Sequence, residues 1–416
     1  MNTFVINGGK PLKGIITVSG AKNAATPILA ATLLTKEECI IDNIPRIKDV
    51  LFMIETLESM GSKTKWINKN KLSIKNDRIN FKNMDTSHVS KMRSSILLIG
   101  PLLSRFKEVE TPKPGGCHIG ARSIEPHLRA LKGLGATITK KRNLYQIRAK
   151  NLKGKEFTMS EFSVTATENI LMAAVLAKGT TTIHCAASDI YIEDLAKFLN
   201  KLGAKIKGIG THNLKIEGVK KLHGAKYKVV PDPIEMGTFI SLAGATKSKI
   251  TILNFKEEFL RMELEKYQEA GLKFKIEKNS ITIYPSNLKA IKLHNMPAPG
   301  FTADLIQPFA AMMTQAKGVS LIHDWMYEGR QRYIGDLNNM GANCFVCDPH
   351  RVLITGPTPL QGREVTSHDL RAGATLLVAA LTAKGKSILH QADQIDRGYE
   401  NIENRLKALG ADIKRI

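Results

Sequence analysis

One cysteine lies in a loop whose composition favours thiol chemistry. Cys117 stands within Thr111-Pro-Lys-Pro-Gly-Gly-Cys-His-Ile-Gly-Ala-Arg122, a run with two prolines and three glycines. This run is neither a helix nor a central strand, because proline lacks an N–H and glycine offers no side chain to pack. Five cations are close in sequence: Lys107, Lys113, Arg122, Arg129 and Lys132. Since a positive neighbourhood lowers the pKa of a thiol, the sequence predicts an accessible, reactive cysteine.

A second cysteine motif has a weaker claim to chemistry. Cys344 and Cys347 form a C-x-x-C pair, and His350 follows closely, which invites a metal or redox interpretation. A second cysteine pair is missing, and the segment has the composition of a strand. Residues i and i+3 of a strand face opposite ways, so we expect this pair to bind no metal.

The elements that position these residues recur along the chain. A helical segment ends in an apolar residue and a glycine, and a strand follows, at intervals of 68 to 74 residues. The six glycines are Gly61, Gly135, Gly203, Gly271, Gly341 and Gly410. Glycine at this position is typical of a left-handed helix C-cap. Six repeats of this kind predict six units, each with the order strand-helix-strand-helix-strand-strand.

Each predicted unit also contains a second helix, which is apolar on nearly all sides and should be buried. These helices start with polar residues: Lys22, Arg93, Thr165, Glu235, Asp304 and Arg371. Thr165-Ala-Thr-Glu168 fits a capping box. A cation opposes the dipole at a helix N-terminus, so capping does not explain Lys22, Arg93 or Arg371. An anionic ligand would explain them, because free N–H groups at helix N-termini suit phosphates and carboxylates.

The composition narrows the class of protein. The 416 residues suffice for two or three domains, and the formal net charge of +23 permits nucleic acid, an anionic membrane or anionic substrates as partners. No aromatic-interleaved basic stripe supports nucleic-acid binding. The sequence has neither a signal peptide nor an apolar run of about 18 residues, and its five cysteines fit reduced thiols. We therefore expect a cytoplasmic protein.

The motifs together resemble the UDP-N-acetylglucosamine 1-carboxyvinyltransferase (MurA) family of enolpyruvyl transferases over the whole chain, in order. The resemblance is carried by the cysteine loop and by Ser19-Gly-Ala-Lys-Asn23, Met92-Arg-Ser-Ser95, Gly300-Phe-Thr-Ala-Asp304, Tyr327-Glu-Gly-Arg330, Asp369-Leu-Arg-Ala372 and Asp396-Arg-Gly-Tyr399. It implies an α/β fold of two inside-out α/β barrel (prism) domains, each of three units around buried helices. We expect a first domain at 22–229, with the cysteine loop at 111–122, and a second at 1–21 plus 230–416.

The resemblance also implies an activity. The family moves the enolpyruvyl group of phosphoenolpyruvate onto the 3′-hydroxyl of UDP-N-acetylglucosamine and releases phosphate, in the first committed step of peptidoglycan synthesis. It uses no metal and no organic cofactor. The implied partners are these two small molecules, without nucleic acid or membrane, and the oligomeric state stays open.

The implied site residues follow the family's motifs position by position. Cys117 matches the general acid, which also bonds covalently to phosphoenolpyruvate and is alkylated by fosfomycin. Asp304 matches the carboxylate beside the sugar hydroxyl, a base candidate. Lys22, Arg122 and Arg397 match the clamp on phosphoenolpyruvate. The remaining matches are Asn23, Arg93, Arg330 and Arg371; Ser123, Ile124, Glu125 and Pro126; Ser163, Val164 and Thr165; Met326, a backbone contact to the sugar nucleotide; and Asp369, a structural partner.

The chain departs from the family's motifs at several positions. Ser123 stands where proline is usual, and Glu125 stands where aspartate is usual. The usual Phe-Pro-Thr-Asp-x-Gln is Phe301-Thr-Ala-Asp-Leu-Ile306. Three alternatives stay open: a same-fold enolpyruvyl transferase with another acceptor such as shikimate 3-phosphate, a basic nucleic-acid-binding protein, and an inactive homologue.

Overall fold

The fold begins with two strands, β1 (Phe4–Gly8) and β2 (Lys13–Thr17). The structure is a computed structural model that describes residues 2–89, 92–112, 115, 123–142 and 144–416. The described residues form two compact units. One unit comprises the described residues between 20 and 230. The other comprises residues 2–19 and 231–416.

The unit at 20–230 alternates helices and strands. Its α-helices are α1 (Lys22–Ala31), α2 (Lys48–Ser59), α3 (Thr86–Val89), α4 (Ile99–Phe106), α5 (Glu125–Gly133), α6 (Val164–Ala174) and α7 (Ile190–Lys201), with 3-10 turns at Thr32–Leu34, Phe81–Asn83 and Arg93–Leu98. Its strands are β3 (Cys39–Asp42), β4 (Lys63–Asn68), β5 (Lys71–Lys75), β6 (Glu108–Pro112), β7 (Thr137–Lys141), β8 (Leu144–Arg148), β9 (Glu156–Thr158), β10 (Thr180–His184), β11 (Lys205–Lys207), β12 (Asn213–Glu217) and β13 (Lys226–Lys228). Its sheets have the orders β13-β3-β5-β4, β6-β8-β7 and β11-β12-β10-β9.

The second unit repeats this plan. Its α-helices are α8 (Pro233–Ala245), α9 (Arg261–Glu269), α10 (Ala303–Met313), α11 (Tyr333–Asn339), α12 (Leu370–Thr382) and α13 (Ile402–Ala408), with 3-10 turns at Glu257–Phe259 and Ala392–Arg397. Its strands after β2 are β14 (Lys249–Leu253), β15 (Lys273–Glu277), β16 (Ser280–Tyr284), β17 (Lys292–His294), β18 (Gly318–His323), β19 (Asn343–Val346), β20 (Arg351–Gly356), β21 (Glu364–Thr366), β22 (Gly385–His390) and β23 (Asp412–Arg415). Its sheets have the orders β15-β16-β14-β2, β17-β18-β20-β19 and β21-β22-β1-β23.

The predicted fold class is confirmed. The order β9-α6-β10-α7-β11-β12 follows the predicted strand-helix-strand-helix-strand-strand pattern, as does β17-α10-β18-α11-β19-β20. The six glycines that set the repeat all have positive φ, between 83° and 103°, where a side chain would be strained. The glycine spacing therefore marked real helix ends.

The apolar helices form the core of each unit. In α8 every residue is buried, and α8, α10 and α12 pack against one another. In the unit at 20–230, α4 packs against α6, and the 3-10 turn Arg93–Leu98 contacts α1, α4 and α6. Small residues allow this close packing. A Cβ on Gly237 would meet the Leu305 side chain at 2.3 Å, and a Cβ on Gly100 would meet the Asn169 carbonyl oxygen at 2.4 Å. The first turns of α1, α6, α10 and α12 carry some of the predicted site residues: Lys22, Asn23, Val164, Thr165, Asp304 and Arg371.

Two strands pair with strands that lie far from them in the sequence. The strand β2 precedes α1 but pairs in parallel with β14, which follows α8. The strand β13 precedes α8 but pairs in parallel with β3, which follows α1. The strand β1 pairs with both β22 and β23, so the first strands of the chain belong to the sheets of residues 231–416. The domain bounds 22–229 and 1–21 plus 230–416 stay a prediction.

The predicted strand at the second cysteine motif is confirmed. Cys344 lies in β19 and is buried, whereas Cys347 follows the strand and is exposed. The two thiols therefore face different environments, as the spacing indicated. Among the described residues, no helix has the length and apolar character needed to cross a membrane.

Candidate active site

The Asp304 carboxylate lies between two buried guanidinium groups. Asp304 is the second residue of α10, and its side chain is 26% exposed. Its Oδ1 accepts a hydrogen bond from Arg330 Nη2 at 2.5 Å, and its Oδ2 accepts one from Arg371 Nε at 2.9 Å. The side chains of Arg330 and Arg371 are 2% and 5% exposed. Two charge-assisted hydrogen bonds therefore fix the orientation of a carboxylate that solvent can still reach.

A second carboxylate, that of Asp324, acts electrostatically on Arg330. Asp324 is buried, and its Oδ1 accepts hydrogen bonds from Asn295 Nδ2 at 2.6 Å and from the Tyr327 amide at 3.3 Å. Burial raises the pKa of Asp324, although the Arg330 guanidinium opposes this shift. Burial by itself would lower the pKa of Arg330, but the adjacent Asp304 and Asp324 carboxylates raise it. Arg330 thus pairs directly with Asp304 and interacts electrostatically with Asp324.

The N-cap of α12 fixes the helix turn from which Arg371 contacts Asp304. Asp369 is the N-cap residue of α12, and its Oδ1 accepts hydrogen bonds from the amides of Arg371 at 2.8 Å and Ala372 at 3.0 Å. The side chain of Asp369 therefore satisfies two free N–H groups of the helix. The cap fixes the first turn of α12, and Arg371 projects from that turn.

Two further predicted residues lie on neighbouring segments of this unit. Arg397 ends the 3-10 turn Ala392–Arg397, and its Nη1 donates to Gln394 Oε1 at 3.4 Å. Met326 is half-buried and lies between Asp324 and Arg330, next to Tyr327, whose ring is 5.2 Å from the Arg330 guanidinium. The segment that carries Arg330 therefore also carries Met326.

In the unit at 20–230, Lys22 begins α1. Its side chain is 18% exposed, and its Nζ lies 3.4 Å from Oδ2 of Asp49, which is the second residue of α2. Asn23 follows in the first turn and is half-buried. The cation at this helix start thus has a protein carboxylate beside it, as Arg371 has. The sequence suggested an anionic ligand as the reason for these cations. Carboxylates of the protein itself, Asp49 and Asp304, supply part of that reason.

Arg93 begins the 3-10 turn that leads into α4. Its Nη2 donates to the Ser123 carbonyl at 3.3 Å, so Arg93 holds the segment that enters α5. Ser123 is exposed, and its Oγ accepts from the Glu125 amide at 3.0 Å. Ile124 is the N-cap residue of α5 and is buried, and Pro126 lies in the first turn. The structure brings Arg93 and 123–126 together.

The beginning of α6 is tied to α5 through His127, which the sequence analysis missed. Ser163 is the N-cap residue, and Val164 and Thr165 begin the helix. Thr165 Oγ1 lies 3.0 Å from His127 Nε2, and His127 Nδ1 accepts from Asn169 Nδ2 at 2.9 Å. Burial, together with the Arg93 cation, lowers the pKa of His127 to about 3. A neutral histidine therefore links the first turns of two helices that carry site residues.

The predicted capping box at Thr165 is wrong. The N-cap residue is Ser163, and its side chain makes no capping hydrogen bond. Thr165 instead contacts His127, and Glu168 is 1% exposed within the core. Burial, with the neighbouring Asp189, raises the pKa of Glu168 well above its usual value. Glu168 is therefore a core residue and takes no part in capping the helix.

Cys117 and Arg122 lie outside the described residues, so the proposed general acid and one member of the clamp stay predictions. The described chemistry is a solvent-reachable carboxylate with two cations in one unit. In the other unit it is Lys22, Arg93 and the free N–H groups at the start of α6. The carboxylate suits proton transfer with a hydroxyl group, and the cations and N–H groups of the other unit suit an anionic ligand.

Three sheets around buried helices, present in each of two units, define the enolpyruvyl transferase class of fold. A family model described as EPSP synthase (3-phosphoshikimate 1-carboxyvinyltransferase) matches residues 6–406. Among solved structures, the enolpyruvyl transferase NikO from Streptomyces tendae has a TM-score of 0.91 at 22% identity, covering 100% of this chain and 99% of that one. EPSP synthase from Acinetobacter baumannii has a TM-score of 0.74 at 20% identity, with 100% coverage of both chains.

Sequence relatives are more similar than these structures. A UDP-N-acetylglucosamine 1-carboxyvinyltransferase of Bacteroides fragilis is 42% identical, with 100% of each chain covered. A protein of the same name from Bradyrhizobium diazoefficiens is 43% identical, covering 99% of this chain and 98% of that one. The chain therefore belongs to the enolpyruvyl transferase family, within its UDP-N-acetylglucosamine 1-carboxyvinyltransferase branch.

Proposed function

We propose that the chain transfers the enolpyruvyl group of phosphoenolpyruvate to the 3′-hydroxyl of UDP-N-acetylglucosamine and releases phosphate, as the first committed step of peptidoglycan synthesis. The observation that carries the proposal is the Asp304 carboxylate, held by Arg330 and Arg371 on a solvent-reachable helix start. Relatives that bear the name of this activity match the whole chain at about 40% identity, which supports the proposed acceptor.

The reaction needs two proton transfers in its addition step. The sugar hydroxyl oxygen bonds to C2 of phosphoenolpyruvate as its proton leaves, and C3 gains a proton. Phosphate then leaves C2 as a proton leaves C3, which restores the double bond. In the proposed mechanism Asp304 takes the hydroxyl proton and Cys117 protonates C3. Asp304 suits this role because Arg330 and Arg371 fix the orientation of its carboxylate, which solvent can still reach.

The cations have a second role in the proposed mechanism. Protonation of C3 makes C2 electron-poor, and departure of phosphate leaves negative charge on the leaving group. Lys22, Arg122 and Arg397 hold the phosphate and carboxylate of phosphoenolpyruvate, and preorganised cations of this kind stabilise charge as it develops. The segments 123–126 and 163–165, with Arg93, Met326 and Asn23, hold the sugar nucleotide.

The proposal extends to the enzyme's place in the cell. The enzyme acts in the cytoplasm and supports cell-wall growth and hence cell shape and division. Cys117 is the residue that fosfomycin alkylates and that forms a covalent adduct with phosphoenolpyruvate. The small-molecule substrates are the expected partners, without nucleic acid or membrane.

The deciding experiment measures phosphate release from phosphoenolpyruvate with different acceptors. We expect release with UDP-N-acetylglucosamine and a product heavier than the acceptor by one enolpyruvyl group in mass spectrometry. Shikimate 3-phosphate in place of the sugar nucleotide should give no release. Cys117→Ala should lose the activity, whereas Cys347→Ala, at an exposed thiol in the other unit, should keep it. Release that depends on shikimate 3-phosphate, or on neither acceptor, would refute the proposal.

A further inference from the structure

A buried glutamate holds the backbone just before Asp304. Glu263 lies in α9 and is 4% exposed. Its Oε1 accepts a hydrogen bond from the Thr302 amide at 2.8 Å. Thr302 is the N-cap residue of α10, two residues before Asp304, and its own side chain makes no capping hydrogen bond. The carboxylate of Glu263 therefore accepts a hydrogen bond from the amide at which the Asp304 helix begins.

The surroundings of this hydrogen bond are apolar and firmly packed. Tyr267 lies one turn further along α9, and its hydroxyl contacts Ser241 Oγ at 2.6 Å and donates to the Gly237 carbonyl at 2.8 Å. The Phe309 ring lies 5.2 Å from the Tyr267 ring and 5.6 Å from the Phe301 ring. Burial raises the pKa of Glu263 to about 7, although its hydrogen bond from Thr302 opposes the shift. A carboxyl group kept in such a place has a specific role.

We propose that Glu263 is a positioning residue for Asp304. Its carboxylate holds the Thr302 amide and thereby fixes the first turn of α10, from which Asp304 reaches Arg330 and Arg371. The catalytic part of this inference rests on the proposed function, because it needs Asp304 to act on the sugar hydroxyl. The structural part, the pairing of Glu263 with Thr302, does not.

The two residues form a matched pair. Thr302 has φ −70°, which is also the angle that a proline ring imposes. Proline would fit the backbone but has no N–H to donate. It would leave the Glu263 carboxylate buried without this donor, which is costly. Loss of Glu263 alone would leave the Thr302 amide without its acceptor. Thr302 therefore supplies the donor that the buried Glu263 carboxylate needs, and Glu263 supplies the acceptor that the Thr302 amide needs.

The pairing predicts a pH dependence. The ionisable groups near the Glu263–Thr302 hydrogen bond are Tyr267 on α9, Asp304 on α10, and the cations Arg330 and Arg371 that hold Asp304. Above pH 7 the Glu263 carboxylate is the stronger acceptor, so the first turn of α10 is held most tightly there. Below pH 7 the group is neutral and the hydrogen bond is weaker. We expect kcat to fall as the pH falls through about 7.

The kinetic test uses Glu263→Gln, with Glu265→Gln as its control, because Glu265 is exposed on the same helix. We expect Glu263→Gln to lower kcat at pH 8 by about three- to tenfold, with KM for UDP-N-acetylglucosamine changed less than about twofold, and to remove the pH step near 7. The Glu265→Gln variant should follow the wild-type profile. A Glu263→Gln profile that superimposes on the wild type would overturn the positioning role.

The structural test is a double-mutant cycle that needs no activity. Thr302→Pro and Glu263→Leu are measured alone and together, by urea unfolding and by hydrogen exchange of the peptide spanning 301–306. We expect each single variant to unfold at lower urea concentration and to lose protection. The double variant should recover most of both, because neither partner is then left unsatisfied. Additive effects would overturn the pairing. If the protein lacks transferase activity, the proposed function fails, but this cycle still decides whether the pair exists.

Discussion

His127 accepts a hydrogen bond at Nδ1 from Asn169 Nδ2, so its single ring proton lies on Nε2 and points to Thr165 Oγ1. The Asn169 side chain also donates to the Ile96 carbonyl at 2.8 Å and accepts from the Gly100 amide at 2.8 Å. These bonds connect α5, α6 and the turn that starts at Arg93. The neutral imidazole is thus the centre of a buried network that aligns several proposed contacts to the sugar nucleotide.

This network predicts a loss of stability in acid. The pKa of His127 is about 3 in the folded protein, below its usual value of 6.5, so the unfolded chain binds the proton first as the pH falls. The free energy of unfolding should therefore fall by about 1.4 kcal/mol per pH unit from this group below pH 6.5. Urea unfolding of His127→Gln should show a weaker decline, roughly 2 kcal/mol less between pH 6.5 and 5. His223→Gln, at an exposed histidine, should decline like the wild type. Equal slopes for all three proteins would contradict a buried neutral His127.

The Asp304 site predicts a large loss of activity in Asp304→Asn. The amide keeps the shape of the side chain but cannot take a proton, and it leaves Arg330 and Arg371 without their shared anion. We expect kcat to fall by about 10²-fold or more. Asp412→Asn, which alters an exposed carboxylate bonded to Asn7, should keep wild-type turnover. Phosphate release under saturating substrates is the measurement, and a loss of less than about threefold would exclude Asp304 as the base.

The buried Arg330 predicts a stability effect separate from catalysis. Arg330→Met leaves Asp304 with Arg371 as its cation and removes the positive charge that opposes the raised pKa of buried Asp324, which should cost about 3–5 kcal/mol in the free energy of unfolding. Arg332→Met, at an exposed neighbour, should cost less than about 0.5 kcal/mol. Adding Asp324→Asn to Arg330→Met should restore part of the loss, because one uncompensated charge is removed. A double variant that is as unstable as the sum of the singles would mean that the two residues do not interact.

The cysteines predict an order of alkylation. Burial raises the pKa of Cys39 to about 11 and that of Cys344 to about 12, so both should react slowly with iodoacetamide at neutral pH. Cys117, from its cationic sequence neighbourhood, should react first, ahead of the exposed Cys347. Peptide mapping by mass spectrometry gives the order. UDP-N-acetylglucosamine should change the rate at Cys117 and leave Cys347 as the internal control. Labelling of Cys39 or Cys344 first would contradict this prediction.

The repeat and the helix starts could be predicted because their signals are local, whereas the fold class was predicted from the family resemblance. A glycine that ends a helix and an apolar helix with a polar first turn are both visible within about ten residues. These signals located the turns that carry Lys22, Arg93, Asp304 and Arg371 without any structure. The same local logic failed at Thr165, where a threonine with the spacing of a capping box is instead the partner of a distant histidine.

The supporting contacts could not be predicted, because each joins residues far apart in sequence. Glu263 and Thr302 are 39 residues apart, and His127 and Asn169 are 42 apart. Nothing in the sequence around Glu263 distinguishes it from the exposed Glu265 except its place on the apolar face of a short helix. Pairings of this kind depend on how helices pack, which sequence patterns of one element do not specify.

The pairing of strands far apart in the sequence has a consequence for how the chain is made on the ribosome. The Ala21 amide donates to the Val230 carbonyl at 2.8 Å, and the Asp232 amide donates to the Ser19 carbonyl at 2.9 Å. Residues 20–230 are therefore a continuous insertion between the two chain segments of the other unit. This insertion can complete its sheets before the rest of the chain is synthesised. The strand β1, in contrast, pairs with β22 and β23, so it must wait until the chain has been synthesised beyond Gly385. Translation at about 5–20 residues per second makes that delay tens of seconds, during which β1 has neither of these strands to pair with.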